Sequence, residues 1–418
     1  MIKSFRAMLL PNDKQKTRLH ETASAARYAY NWAVGKQTEA FAATGKYVPE
    51  SDIRKMFTLH KKEKPWLGEV SNNATKQALK DACGAFWRFA REKKKPGYKP
   101  YSKKKLARAA RLGLRLGRHD MAHHPKFKKK GKAEPKFYVD TDNIEFTETH
   151  VLLEKIAAEK KGQKRSRVRK LNSVRLAQGR VKPEKRVPLE AKYSNPRVKF
   201  DGINWWVSVG VETAPCGEEP AGEGIGVDVG ISRLAVESNG TAHRNINKDL
   251  KVRKLKKRQR RLQRGVSRKY IQNREGERYR KTCNIARSET ELLKLHMRLT
   301  GIRHNHAHQA TSGIMRQKPR FVVAEDLNVQ GMMKNRHLSK AIQEQGWGEF
   351  VRQLEYKSAL NGIRFVKASR TYPSSKLCSG CGIVRKDLKL SERTYRCGCG
   401  LVIDRDLNAA INLRNYAA

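Results

Sequence analysis

Five carboxylates stand where short apolar runs end or change direction. Asp228 lies inside the apolar run of GIGVDVG, Glu325 and Asp326 close PRFVVAEDLNV, and Asp404 and Asp406 mark a strand-to-helix junction in VIDRDLNAAINL. An unpaired carboxylate in an apolar strand is costly to bury. Singly, each has an ordinary explanation: a turn acid for Asp228, a strand-end ion pair for Glu325, a helix N-cap for Asp406. Taken together, Asp228, Glu325 and Asp406 could form an oxygen-rich cup for hard divalent cations. Mg²⁺ accepts a few carboxylates and keeps several waters, which leaves room for a substrate phosphate. Two such ions about 4 Å apart activate a water and stabilise the leaving oxygen in phosphodiester hydrolysis.

A second cluster carries thiols. Four of the chain's 7 cysteines fall in two pairs, Cys378-x-x-Cys381 and Cys397-x-Cys399, while Cys83, Cys216 and Cys283 are scattered. Four thiolates at this separation suit a closed, tetrahedral structural Zn²⁺ better than a redox CxxC, which would want a βαβ context. The second knuckle is one residue shorter than the first. So small a ribbon buries little apolar area, so its metal would supply folding energy. His304 and His308 lie four apart on a helical pattern and could share a metal, but packed or solvated histidines are the preferred reading.

These groups need elements to hold them. IKSFRAML reads as a strand broken by LLPND. From about 14 to 90 the pattern is helical, with Leu19, Ala23, Ala26, Tyr30 and Ala33 on one face and Leu79, Ala82, Phe86 and Phe89 on another, the latter preceded by an Asn72/Asn73 cap signal. Strand signals dominate from about 137 to 213, clearest in INWWVSVGVE, and a basic insert near 159–170 interrupts them. TAPCGEEPAGEG has linker composition, and GIGVDVGISRLAVESNG reads as two short strands around a glycine turn. Beyond it, LKVRKLKKRQRRLQRGVSRKY is basic and helical, followed by a packing stripe at Leu292, Leu295, Leu299, Ile302 and His306.

Charge narrows the partners. Lys and Arg number 91 against 40 Asp and Glu, a formal net charge of +51. A folded chain this basic repels itself unless a polyanion neutralises it, and nucleic acid is the usual one. A run with no acid in it, such as 250–270, cannot be quieted by intrahelical pairs, so backbone phosphate is its expected neighbour. No apolar run reaches the roughly 20 residues a membrane span needs, and no signal peptide is evident. The expectation is a cytoplasmic nucleic-acid binder with no membrane partner.

Five segments, in order, carry a resemblance: GIGVDVGISRLAV, VVAEDLNVQGM, AIQEQGWGEFVRQLEYKSALNGIRFVKAS, PSSKLCSGCG and DRDLNAAINL resemble the TnpB proteins of bacterial transposons, relatives of the compact type V CRISPR effectors. The first half is similar too, through NDKQKTRLHETASAARYAYNWAV, PKFKKKG and INWWVSVGVE. The resemblance implies a multidomain α+β and α/β chain: a wedge strand at 1–12, a helical recognition region at 13–125 and a β-rich wedge domain at 126–215. A ribonuclease-H-like (RuvC) domain with a long helical insert would follow at 222–370, then a zinc ribbon at 371–402 and a closing RuvC segment at 403–418. It further implies an RNA-guided, Mg²⁺-dependent DNA endonuclease acting on double-stranded DNA beside a short motif, its guide RNA drawn from the transposon end. Asp228, Glu325 and Asp406 would be the catalytic ligands of two Mg²⁺ ions, with Asp404 the competitor for the third place. Cys378, Cys381, Cys397 and Cys399 would hold one Zn²⁺. A guide-dependent repressor that does not cut, a compact CRISPR effector, and an RNA-binding protein whose acids merely cap and pair are the alternatives.

Overall fold

The computed structural model describes residues 2–155, 169, 171–177, 181, 186–214, 219–276, 278–389 and 392–417. Most of the basic insert near 159–170, and Cys216 in the linker, lie outside the described residues. The chain divides into two compact units, Ile2–Glu212 and Thr213–Ala418.

The first unit packs helices on a seven-stranded antiparallel sheet. The strands are β1 (Ile2–Leu10), β2 (Lys136–Tyr138), β3 (Glu145–Phe146), β4 (His150–Leu152), β5 (Ser173–Leu176), β6 (Tyr193–Phe200) and β7 (Trp205–Glu212), in the order β2-β6-β7-β1-β5-β4-β3. In β7 every second residue is buried, as the sequence alternation demands when one face meets a core. The helices are α1 (Asp13–Thr44), α2 (Glu50–Lys62), α3 (Asn72–Lys93) and α4 (Lys103–Arg111). α1 starts in a capping box: Asn12 Oδ1 accepts from Gln15 N at 2.9 Å, and Gln15 Oε1 accepts from Asn12 N at 3.1 Å. The Gln15 amide also donates to the carbonyls of Leu171 and Ser173, tying β5 to the start of α1. The cap of α3 is Ser71 rather than Asn72 or Asn73; its hydroxyl accepts from Ala74 N, and both asparagines fall in the first turn. The five α1 residues and four α3 residues expected on the packing faces are all buried; all but Phe89 share one core with Phe5, Leu9 and Val207.

In the second unit, the central sheet has the order β10-β9-β8-β13-β14. β8 (Ile225–Val229), β9 (Arg233–Glu237) and β10 (Ala242–Arg244) form an antiparallel meander, while β13 (Phe321–Glu325) and β14 (Arg364–Ala368) run parallel to β8. Between β10 and β13 the chain makes α5 (Leu250–Gln272), a two-residue hairpin β11 (Arg274–Glu275) and β12 (Arg278–Tyr279), and α6 (Cys283–Arg316). After β13 come α7 (Val329–Met332), α8 (Ser339–Gln345) and α9 (Trp347–Leu360); after β14, a small hairpin of β15 (Thr394–Arg396) and β16 (Val402–Asp404), then α10 (Arg405–Asn415). Only Val252 of α5 is buried, so its basic residues form a solvated flank joined to α6 by Lys269 Nζ to Ser288 and Tyr270 OH to Glu289, each at 2.7 Å. No helix among the described residues is long and apolar enough to cross a membrane.

Candidate active site and thiolate centre

β8 is apolar on both faces because α10 covers one of them. Gly226 makes that approach possible: a Cβ there would overlap the Ala410 carbonyl oxygen and the Arg414 amide. The parallel register of β8 with β13 sets Val227 against Ala324, so the next residues along the two strands, Asp228 and Glu325, emerge side by side. α10 brings Asp406 to the same place in its first turn. The result is an acidic group drawn from three remote segments. Asp228 is only partly open to solvent. Burial pushes its carboxyl well above the usual carboxylate range, and the charges of Glu325 and Asp406 push it further; Arg405 pulls the other way. The three acids raise one another's cost of ionisation, and Arg405 offsets only part of it.

Each acid is held differently. Glu325 Oε1 accepts from the Ser374 hydroxyl. Asn412 on α10 donates to the Ser374 carbonyl at 2.8 Å, so the support of Glu325 and the helix carrying Asp406 are linked. Asp326, next in the chain, turns away to Arg370 at 2.7 Å. The N-cap of α10 is Asp404: its Oδ1 accepts from Asp406 N at 2.9 Å and Leu407 N at 3.2 Å, and its Oδ2 faces Arg233 at 3.4 Å. Asp406 therefore does not cap the helix. Its Oδ1 faces Arg405 at 3.7 Å and Arg393 at 3.9 Å, at the outer edge of ion pairing.

The four cysteines converge. Cys378, Cys381, Cys397 and Cys399 place their sulfurs within 4.8 Å of one another, the tightest grouping of such ligands among the described residues; the three acids are spread more widely. Two separations, Cys378–Cys399 at 3.7 Å and Cys381–Cys397 at 3.5 Å, are close to the tetrahedral edge of about 3.8 Å set by a Zn–S bond of roughly 2.3 Å. The shortened CxC knuckle thus closes as well as the CxxC, and the cluster can bind zinc. Burial would raise the Cys378 thiol, but the backbone N–H groups of Cys381 and Gly380 and the neighbouring thiols hold it at about 7, while the same thiol contacts push Cys381 up to about 12, so the crowded sulfurs favour one thiolate that shares its neighbours' protons. Asn408 of α10 grips this ribbon: its amide donates to the Leu377 carbonyl at 2.6 Å and its Oδ1 accepts from Ser379 N at 3.0 Å. His304 and His308 form no metal-ligating group among the described residues; both sit on the exposed side of α6.

The supporting residues Ser374, Asn408, Asn412 and Arg233 do not stand out in the sequence. Asn408 and Asn412 lie in DLNAAINL, where four-residue spacing on a helix that also buries Ala409 and Leu413 is the one available hint.

Three family models match in chain order: a helix-turn-helix domain (HTH_OrfB_IS605) over residues 1–46, a probable transposase (OrfB_IS605) over 207–336 and a Cas12f1-like TNB domain over 347–413. A Streptomyces pristinaespiralis protein named, provisionally, an RNA-guided DNA endonuclease is 28% identical over 98% of this chain and 88% of its own length. The similarly named InsQ of Escherichia coli K12 is 25% identical over 99% of this chain and 91% of its own. Among solved structures, the Cas12f1 chain of a complex with sgRNA and target DNA covers 96% of this chain and 82% of its own length, with a TM-score of 0.57 at 16% identity, a likeness of fold. With matched segments in chain order and relatives aligned over nearly its whole length, the chain is similar throughout to the OrfB proteins of IS605-type transposons.

Proposed function

We propose that the chain is an RNA-guided DNA endonuclease associated with a transposon, hydrolysing phosphodiester bonds at the acid cluster of its second unit. The observation that carries the reading is the convergence of Glu325 and Asp406 on the Asp228 carboxyl, which together with burial pushes it well above the usual carboxylate range. The mixed five-stranded sheet, with one acid on each of two parallel neighbours and the third on the helix packed over them, supports a ribonuclease-H-type (RuvC-like) domain. The three acids would hold two Mg²⁺ ions, which supply an activated water and stabilise the leaving oxygen. Asp406 is preferred over Asp404 because both Asp404 oxygens are engaged, one in capping α10 and one toward Arg233. The chain's own part is to hold the acids in place: Ser374 orients Glu325, α10 presents Asp406, and the β8–β13 register sets Asp228 beside Glu325.

The thiolate centre would carry one structural Zn²⁺, and the ribbon at 371–402 would brace α10 through Asn408. The partners would be a guide RNA from the transposon end and double-stranded DNA beside a short motif. Base pairing would carry sequence specificity, with the protein reading backbone, shape and that motif. The wedge strand at 1–12, the recognition region at 13–125 and the wedge domain at 126–215 would cradle the RNA, and 222–370 with 403–418 would cut.

The test is guided cleavage by the protein copurified with its own RNA. Asp228→Ala, Glu325→Ala and Asp406→Ala should each lose cleavage by about a thousandfold or more while keeping guide-directed binding. Full activity in Asp406→Ala with loss in Asp404→Ala would overturn the third assignment. Guided binding without any Mg²⁺-dependent cutting by the wild type would make the protein a repressor.

A further inference from the structure

Asp228 is followed at once by a turn whose carbonyls are gripped from outside the sheet. The Gln345 carboxamide Nε2 lies 3.1 Å from the Gly230 oxygen, 3.1 Å from that of Ile231 and 3.3 Å from that of Arg233. Trp347 Nε1 donates to Gly230 O at 3.2 Å, and Asn245 Nδ2 to Ile231 O at 2.8 Å. Gln345 and Trp347 are 6% and 4% exposed, so these donors have no water to turn to. They flank Gly346, whose φ of 67° breaks the chain between α8 and α9 and lets both side chains reach the same turn.

The gripped turn serves two of the acids. Upstream it continues from Asp228. Downstream it carries Arg233, which pairs with Asp404 at 3.4 Å, the cap of the helix that presents Asp406. We propose that Gln345 and Trp347 are positioning residues of the acid cluster, setting the separation of Asp228 and Asp406 by holding the 230–233 turn, and so its affinity for divalent cation. This rests on the reading of those acids as metal ligands.

The grip is itself anchored. Glu344 accepts from Lys256 of α5 at 2.6 Å and faces Arg303 of α6 at 3.6 Å, and its carbonyl accepts from Asn247 at 3.0 Å. The segment that holds the acid turn is thereby fixed to the basic helical pair.

Gln345→Met keeps the size of the side chain and removes its donors; Trp347→Phe keeps a ring and removes the N–H. Leu354→Ala, a buried position of α9, is the control for lost stability alone. The readouts are Mn²⁺ binding to the purified full chain without nucleic acid, followed by the free-ion EPR signal, and the Mg²⁺ midpoint of guided cleavage. Supporting residues around metal ligands typically carry 10–100-fold in affinity, so Gln345→Met should weaken both midpoints by about tenfold. Trp347→Phe should move them in the same direction and stands in for Gln345→Met if that variant does not fold. Leu354→Ala should lower Tm and leave both midpoints in place. Wild-type midpoints in Gln345→Met and Trp347→Phe, or an equal shift in Leu354→Ala, overturn the inference alone. Unchanged cleavage and Mn²⁺ binding in Asp228→Ala overturn it together with the reading of the acids.

Discussion

At the scale of single residues, the acid cluster carries a cost in stability. Asp228 has its pKa raised in the fold by burial and by Glu325 and Asp406. An acid with a raised folded pKa adds no penalty below its unfolded value, near 3.9, and destabilises progressively as pH rises from there toward the folded value. Asp228→Asn should therefore raise Tm in Mg²⁺-free buffer at pH 7, with the gain vanishing as pH falls toward 4; a gain independent of pH would point to another cause. Asp404→Ala should cost about 1 kcal/mol through removal of the cap, read by chemical denaturation. Gly226→Ala should cost at least about 2 kcal/mol, because the backbone of α10 fills the space a methyl would need. Five carboxylates beside apolar strands were conspicuous in the sequence; narrowing them to Asp228, Glu325 and Asp406 drew on the family resemblance. Ser374, Gln345, Asn408 and Asn412 were not conspicuous, since a polar side chain on a helix or loop reads as solvated until its partner, distant in sequence, is known.

Individual elements tell the same story of one-sided information. β7 was legible because one face is buried and its alternation is undiluted. β5 was not: SVRL is four residues long and follows the basic insert, so its place between β1 and β4 depends on pairing rather than pattern. The cap of α3 went to Ser71 over two asparagines because the residue that leaves the helix first, not the better capping type, takes that role. In α5, a run of cations with only Val252 buried leaves most of its basic side chains facing solvent. Neutralising Arg261, Arg264 and Arg268 should reduce the salt slope of nucleic-acid binding by roughly one unit for each phosphate that no longer meets a cation; an unchanged slope would remove α5 from the binding surface. Treating the ribbon with a thiol-selective chelator should loosen α10 as well, since Asn408 and Asn412 hang on the carbonyls of Leu377 and Ser374. Faster amide exchange in 405–415 after chelation is the expected signature.

For the molecule as a whole, the division at Glu212 and Thr213 separates a unit with its own sheet and core from the unit that holds the acids. Expressed alone, residues 2–212 should melt cooperatively and bind RNA without cutting DNA; a non-cooperative melt would show that the first core needs the second unit. The charge of +51 announced a polyanion partner, yet said nothing of how the acids assemble, because assembly depends on three segments meeting at β8. That meeting has a consequence during synthesis. The basic helices and two of the acids leave the ribosome before α10, which brings the third acid and the lock on the thiolate ribbon. On the proposed reading of the acids, a nascent or prematurely terminated chain lacking α10 would keep its basic helices while missing one carboxylate of the cluster. The acid cluster would then be completed only when α10, near the end of the order of synthesis, had docked on β8.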